Sequence, residues 1–163
     1  MITAHTTSAD ETRALAAALA KVSTVGDLLV LAGELGAGKT AFAQGYGKAM
    51  GVGVPITSPT FTLANHYDGD ISLNHLDVYR LEQLDEIKEL GLYELIDGEG
   101  ITLIEWGDAI TPVLGADFLE IRLVFGEADD DRVITIHPVG SRWLARSRAL
   151  ADAVAPWSTP ETI

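Results

Sequence analysis

The residues with the most specific chemical potential lie in one glycine-rich stretch, Gly33–Thr40, which reads GELGAGKT. This stretch matches the phosphate-binding loop pattern G-x-x-x-x-G-K-[ST] at every fixed position. Glycines lack a Cβ, so the backbone can approach a ligand closely and turn successive N–H groups toward an anion. In this pattern the lysine bridges the β- and γ-phosphates, and the hydroxyl that follows it binds Mg²⁺. We therefore predict a nucleotide site that uses Gly36, Ala37, Gly38, Lys39 and Thr40.

The segments on either side of this loop have the patterns that its chemistry requires. Before it, the short apolar run Asp27–Ala32 is typical of a buried parallel strand. After it, Thr40–Met50 has the pattern of a helix. A helix that begins at the loop adds unpaired N–H groups and the positive end of its dipole to the anion site.

Hydrolysis of a nucleotide also needs a carboxylate for Mg²⁺ or its waters, and a group that orients the attacking water. Glu105 ends Ile101–Ile104, the most apolar predicted strand, and Asp77 ends a more polar one. We favour Glu105 as the Mg²⁺-linked acid, because a buried central strand best directs its carboxyl end toward the loop. Asp77 is then a candidate for positioning water, and the alternative is a solvated acid at a strand end.

Three further residues have weaker sequence signals. Thr60 follows Ser58 and Pro59 in the region where switch-type hydrolases place a threonine that senses the γ-phosphate and Mg²⁺. An ordinary Ser/Thr turn at the start of a strand explains it about equally well. We expect His75 to be packed or hydrogen-bonded rather than a metal ligand. Arg132, judged from its own surroundings, is a surface turn arginine, although it could reach a nucleotide from a neighbouring strand.

The composition bounds the class of protein. At 163 residues the chain is long enough for one domain with a full core. It has no cysteine, which excludes disulfides and thiolate chemistry and fits a cytoplasmic protein. It also has no apolar run of membrane-spanning length and no signal-peptide pattern. Because the formal net charge is −13, direct high-affinity binding of nucleic acid by this chain alone is not expected.

The order of predicted elements gives the fold class. A strand over Met1–His5 is followed by a helix that starts with a capping box at Ser8 and Glu11, each side chain bonding the other's backbone N–H. Helices and strands alternate early in the chain, and antiparallel strands dominate later. We therefore predict a three-layer α/β fold of the P-loop NTPase type, with a mixed central sheet flanked by helices.

The same pattern predicts how the chain divides. Ser141–Val154 is expected to form one amphipathic, locally basic helix that completes the domain. We see no internal repeat and no domain boundary, and we predict a single domain over residues 1–154. Residues 155–163 lack periodicity, so we predict a mobile C-terminal tail there.

Four motifs together resemble one family. They are Gly33–Thr40, Ser58–Leu63, His75–Leu81 and Ile104–Trp106. Their order and spacing resemble the TsaE (YjeE) family, the bacterial P-loop ATPases of tRNA threonylcarbamoyladenosine biosynthesis, and the resemblance runs from about Thr7 to Val139. It implies Mg²⁺ contacts at Thr40 and Glu105, a functional Asp77, a switch-like segment containing Thr60, and nucleotide contacts near Glu11 and Arg132.

The resemblance also implies cofactors and partners. It implies a protein that uses ATP and Mg²⁺ and works with TsaD-like and TsaB-like proteins, which transfer threonylcarbamoyl to a tRNA adenosine. The ATPase is then needed for repeated turnover rather than for the transfer itself. The tRNA would be held mainly by a partner, which agrees with the acidic charge of this chain.

The residues alone are also compatible with two other functions. A small-molecule kinase shares the loop but needs extra cations to neutralise the transferred phosphoryl group. Between Gly51 and Asp117 the basic residues are only Arg80 and Lys88, which counts against a kinase. A GTPase is disfavoured by the absence of an N-K-x-D motif. A subunit that senses ATP without hydrolysing it is the other alternative.

Overall fold

A computed structural model describes residues 1–58, 64–78, 85, 94, 98–105 and 117–159. Within these residues seven strands form a single sheet: β1 (Ile2–Thr6), β2 (Leu28–Ala32), β3 (Ala64–Tyr67), β4 (Leu73–Asp77), β5 (Ile101–Glu105), β6 (Phe118–Phe125) and β7 (Arg132–Val139). The helices whose bounds the structure describes are α1 (Ala9–Ala20), α2 (Lys39–Ala49), α3 (Ser141–Leu144) and α4 (Ser147–Val154), followed by a 3₁₀-helix at Ala155–Trp157.

The strand order is β1-β7-β6-β2-β5-β4-β3, which places β2 in the middle of the sheet. β2 pairs in parallel with β5 on one side and β6 on the other, and β4 pairs in parallel with β5. The outer pairs β1–β7, β6–β7 and β3–β4 are antiparallel. Every residue of β2, β4 and β5 is buried, as expected for parallel strands covered on both faces. The predicted α/β class with a mixed sheet is confirmed.

The first helix begins where its sequence predicts, with a different capping arrangement. The hydroxyl of Ser8 accepts a hydrogen bond from the N–H of Glu11 at 3.1 Å, as expected. The carboxylate of Glu11 accepts from the N–H of Thr7 at 2.7 Å, one residue before the predicted donor. The reciprocal half of the predicted capping box is therefore shifted by one residue, and the cap still satisfies two N–H groups at the helix start.

Helices α1 and α2 pack together and form the core with residues of the sheet. Leu15, Phe42 and Tyr46 are fully buried between these elements. Gly45 allows the close approach of the two helices, because a Cβ at this position would lie 2.2 Å from the carbonyl oxygen of Arg13. The packing fixes α2, and with it the loop from which α2 begins.

The C-terminal region differs from its prediction as one continuous helix. It forms α3 and α4, with a break at Ala145 and Arg146. At the break the guanidinium of Arg146 binds both oxygens of the buried Asp27, at 2.7 and 2.8 Å. The prediction of one helix is wrong, and this bidentate pair, which periodicity does not encode, is the contact made at the break.

Residues 155–158 contact the rest of the domain. The 3₁₀-helix places Trp157 against the core, and Ser158 forms a β-bridge with Ala4. The predicted division into a domain over 1–154 and a mobile tail over 155–163 stays a prediction. No helix among the described residues is long and apolar enough to cross a membrane.

Candidate functional site

The glycine-rich loop follows the central strand β2 and passes directly into α2. Its backbone needs positive φ angles, which are +153° at Gly33, +84° at Gly36 and +108° at Gly38. At Gly33 a Cβ would also lie 2.5 Å from the carbonyl oxygen of Leu123 on β6. The predicted use of positive φ at Gly36 and Gly38 is confirmed, and Gly33 adds a third position where a side chain is excluded.

The N-terminus of α2 begins at the loop. Gly38 is its N-cap residue, so no side chain caps the helix, and the first helical bond runs from the N–H of Phe42 to the carbonyl of Gly38 at 2.9 Å. The N–H groups of the first turn have no partner within the helix. Thr40 lies in this turn and is half-buried. Such a terminus is suited to bind a phosphate group.

Lys39 places a buried ammonium group at the loop. The side chain is 6% exposed, and its Nζ donates a hydrogen bond to the carbonyl of Gly33 at 2.7 Å. Burial lowers the pKa of Lys39, while the negative charges of Glu105 and Asp77 oppose this shift. The ammonium therefore lies in the field of both predicted acids.

Asp77 and Glu105 end the neighbouring parallel strands β4 and β5, and they are register partners. Each is 3% exposed. The alternative that Asp77 is a solvated acid is therefore wrong. β5 pairs directly with β2, with Leu31 opposite Glu105, so Glu105 is one strand closer to the loop than Asp77. The assignment of Glu105 to Mg²⁺ and of Asp77 to water remains a prediction.

His75 joins the two acids from the same face of the sheet. It precedes Asp77 by two residues on β4, so both side chains point to one side. The ring is fully buried, and its Nε2 lies 3.3 Å from Oε1 of Glu105. The sequence indicated that His75 is packed, but it gave no signal for this contact.

Arg132 contacts the loop itself. Its Nε donates to the carbonyl of Ala37 at 3.0 Å, and Nη2 donates to the carbonyl of Gly36 at 3.3 Å. Nη1 donates to the carbonyl of Asp129 at 2.7 Å, and the guanidinium lies 4.6 Å from the ring centre of Phe125. The interpretation as an ordinary surface turn arginine is wrong, because the side chain ties the start of β7 to the loop. A direct contact with nucleotide remains a prediction.

The remaining predicted residues divide into two groups. Glu11 caps α1, and the next residue, Thr12, is close to the loop: a Cβ on Gly38 would lie 3.9 Å from its Cγ2. The first turn of α1 is therefore near the site, and Glu11 as a nucleotide contact remains a prediction. Thr60 and the motif residue Trp106 lie outside the described residues.

The donor set at this site suits a phosphorylated ligand and a hard divalent cation. The helix terminus, whose N-cap residue has no side chain, and the ammonium of Lys39 favour anions. Oε1 of Glu105 is buried and forms no hydrogen bond with any residue that the structure describes. A carboxylate oxygen in this state is available to Mg²⁺ or to one of its waters. The residues present therefore fit the predicted nucleotide and metal.

The mixed α/β sheet, with this loop between its central strand and α2, defines a protein of the P-loop class. The family model described as "Threonylcarbamoyl adenosine biosynthesis protein TsaE" matches residues 6–134. The chain belongs to the TsaE family.

Curated relatives agree with this membership over most of their length. The protein named "tRNA threonylcarbamoyladenosine biosynthesis protein TsaE" from Bacillus subtilis is 42% identical over 85% of this chain and 87% of its own. The protein of the same name from Treponema pallidum is 38% identical over 79% of this chain and 95% of its own. The crystal structure of Bacillus subtilis YdiB matches with a TM-score of 0.76 and 35% identity, and it covers 93% of this chain and 97% of that one.

Proposed function

We propose that this chain is the Mg²⁺-dependent ATP-binding and ATP-hydrolysing subunit needed to form N6-threonylcarbamoyladenosine (t6A) in tRNA. The observation that carries the proposal is the convergence of one buried lysine and two buried carboxylates at the phosphate-binding loop. The names of the relatives supply the pathway. Such a protein works in the cytoplasm, where tRNA is modified.

The residues of the loop would hold the phosphates. Backbone N–H groups from Gly36 to Thr40 would bind phosphate oxygens, and Lys39 would exchange part of its contact with the Gly33 carbonyl for the β- and γ-phosphates. Mg²⁺, when bound, neutralises charge that develops on the phosphate oxygens. Thr40 and Glu105 are the residues that would hold it, directly or through water.

Asp77 is assigned to the attacking water. It is buried beside Glu105, so its carboxylate can accept a proton or a hydrogen bond within the site rather than in bulk solvent. Thr60 is assigned to sensing the γ-phosphate in a switch-like segment. Glu11 and Arg132 are assigned to the edge of the nucleotide site, near the first turn of α1 and the start of β7.

We further propose that hydrolysis is slow in the isolated chain and is raised by TsaD-like and TsaB-like partners. Positive charge added at the transferred phosphoryl group can be worth on the order of 10³–10⁵ in rate. Arg132 uses its guanidinium on the carbonyls of Gly36 and Ala37, so it is poorly placed to add this charge. With a net charge of −13, the chain would meet tRNA only through those partners.

The proposal is tested by a steady-state ATPase assay with and without the two partners, together with mass spectrometry of tRNA nucleosides from depleted cells. We expect partner-stimulated hydrolysis and loss of t6A. Stoichiometric binding of ATP without hydrolysis, even with partners, would instead indicate an ATP-sensing subunit. Transfer of phosphate to a small acceptor would indicate a kinase. Unchanged t6A after depletion, with no substituting ATPase, would refute the pathway.

A further inference from the structure

His75 is a buried polar side chain to which the proposed mechanism gives no task. It has no exposed surface, and neither ring nitrogen forms a hydrogen bond with any residue that the structure describes. Burying an imidazole in this state is unfavourable, because the ring gives up hydrogen bonds to water. Such a group in a folded protein calls for an explanation in terms of function.

The predicted metal acid, Glu105, places an acceptor next to this ring. Because β4 and β5 are parallel, with His75 opposite Leu103 and Asp77 opposite Glu105, the imidazole and the carboxylate of Glu105 are diagonal neighbours on one face. Nε2 lies 3.3 Å from Oε1, close enough for a hydrogen bond but not aligned for one. Two buried polar atoms that lack a hydrogen bond within the described residues therefore face each other.

We propose that His75 is a positioning residue for Glu105. In its Nε2–H tautomer the ring would donate to Oε1 once the two groups are aligned, so the carboxylate would be presented to the loop in one orientation rather than several. Groups that hydrogen-bond a metal-linked carboxylate in this way orient it and raise the affinity for the metal. This inference rests on the proposed function, since it assigns Glu105 to Mg²⁺.

The test measures the Mg²⁺ dependence of nucleotide binding rather than turnover. ATP carrying a fluorescent anthraniloyl group is titrated with Mg²⁺ in the presence of wild type, H75F and H75Q. We expect H75F to need about tenfold more Mg²⁺ for half-maximal binding. H75Q should restore most of this loss, because its amide nitrogen can take the place of Nε2. Binding in the presence of a chelator should be equal in all three.

Thr102→Val is the matched control. Thr102 lies on β5 like Glu105, is equally buried, and its hydroxyl also forms no hydrogen bond with a described residue. It points to the opposite face of the sheet, because it is three residues away on a strand. T102V should therefore bind the nucleotide with the Mg²⁺ dependence of wild type.

The outcomes separate the inference from the function it rests on. Wild-type Mg²⁺ dependence in a folded H75F would overturn the inference and leave the proposed function standing. Nucleotide binding by the wild type that never depends on Mg²⁺ would overturn the inference, whereas the proposed function would fail only if the wild type also hydrolysed no ATP in the presence of Mg²⁺ and the partners. If circular dichroism shows that H75F is unfolded, H75Q is compared with H75N, whose amide reaches only the Nδ1 position. Equal Mg²⁺ dependence of these two variants would overturn the inference.

Discussion

Asp77 and Glu105 face each other across the last register position of the parallel pair β4–β5, and both carboxylates are withdrawn from solvent. Both carboxylates act on the buried ammonium of Lys39, since their negative charge opposes the lowering of its pKa by burial. Two carboxylates brought this close together in a protein interior favour a bound cation. A divalent cation held near the two acids would therefore link the stability of the site to the ligand that it is proposed to hold.

The first prediction separates the roles of these two acids. Glu105→Gln keeps the size of the side chain and removes the charge for Mg²⁺, so it should impair Mg²⁺-dependent hydrolysis more than nucleotide binding. Asp77→Asn should lower turnover with a smaller change in the Mg²⁺ requirement. Mg²⁺ titrations of ATPase activity check both variants. If the requirement changes only in D77N, Asp77 is the metal acid and our assignment is reversed.

The second prediction concerns Arg132 and the loop. Arg132→Ala removes two charged donors from the carbonyls of Gly36 and Ala37, so the loop should lose order and bind ATP about tenfold more weakly, or ~1.4 kcal/mol. The Arg132→Lys variant should bind ATP almost as weakly as the alanine variant, because lysine lacks the planar guanidinium that reaches two acceptors. Isothermal titration calorimetry measures both affinities.

Arg122→Ala is the control for the Arg132 variants. Arg122 lies on the neighbouring strand β6 and forms a partly exposed ion pair with Glu120, a type of contact that contributes little. Its removal should leave ATP affinity unchanged. Full affinity in R132K would instead indicate that Arg132 acts only through its charge on the nucleotide.

The third prediction concerns the stability of the fold at the opposite end of β2. The carboxylate of Asp27 is fully buried, accepts hydrogen bonds from Arg146 and from the N–H of Thr24 at 2.7 Å, and forms an ion pair with Nε of Arg142 at 3.2 Å. Arg146→Ala removes the bidentate partner, so the free energy of unfolding should fall by about 3 kcal/mol, the low end for a broken buried pair. The N–H of Thr24 and the guanidinium of Arg142 remain beside Asp27 and limit the loss of stability.

Urea denaturation measures the change in R146A, and the exposed Arg148 on α4, two residues further along the chain, supplies the control. R148A should change the unfolding free energy by less than about 0.5 kcal/mol. ATP affinity should be unchanged in folded R146A, because Asp27 precedes β2 and the loop follows it. Equal unfolding free energies of the two variants would show that Arg146 contributes no more to the stability of the fold than a surface arginine does.

The parts of the site that the sequence predicts are those encoded over a few residues. The loop, the buried strand before it and the acid at the end of β5 each depend on a short local pattern, and the structure places them together. The contacts that sequence reasoning missed join distant positions. Arg132 meets Gly36 across 96 residues, and Arg146 meets Asp27 across 119. The contact between His75 and Glu105 depends on the register of β4 and β5, which brings together two residues that are 30 positions apart in the sequence.

The difference between local patterns and distant contacts also explains why the structure departs from two predictions of secondary structure. The periodicity of Ser141–Val154 favours one helix, but the contact of Arg146 with Asp27 accompanies a break that no local pattern encodes. The capping box of α1 has the correct spacing, yet Glu11 accepts from Thr7 because the donor depends on how the chain enters the helix from β1. Tertiary contacts therefore decide details that local propensity leaves open.

The most direct test of the central claim is the effect of Lys39→Ala on ATP binding and hydrolysis in the presence of Mg²⁺. Lys48→Ala is the matched control, because Lys48 lies on the same helix α2 and is exposed. We predict that K39A loses nearly all hydrolysis and binds ATP much more weakly, since the phosphates lose the cation of the loop, while K48A behaves as wild type. Hydrolysis at the wild-type rate in folded K39A would contradict the account.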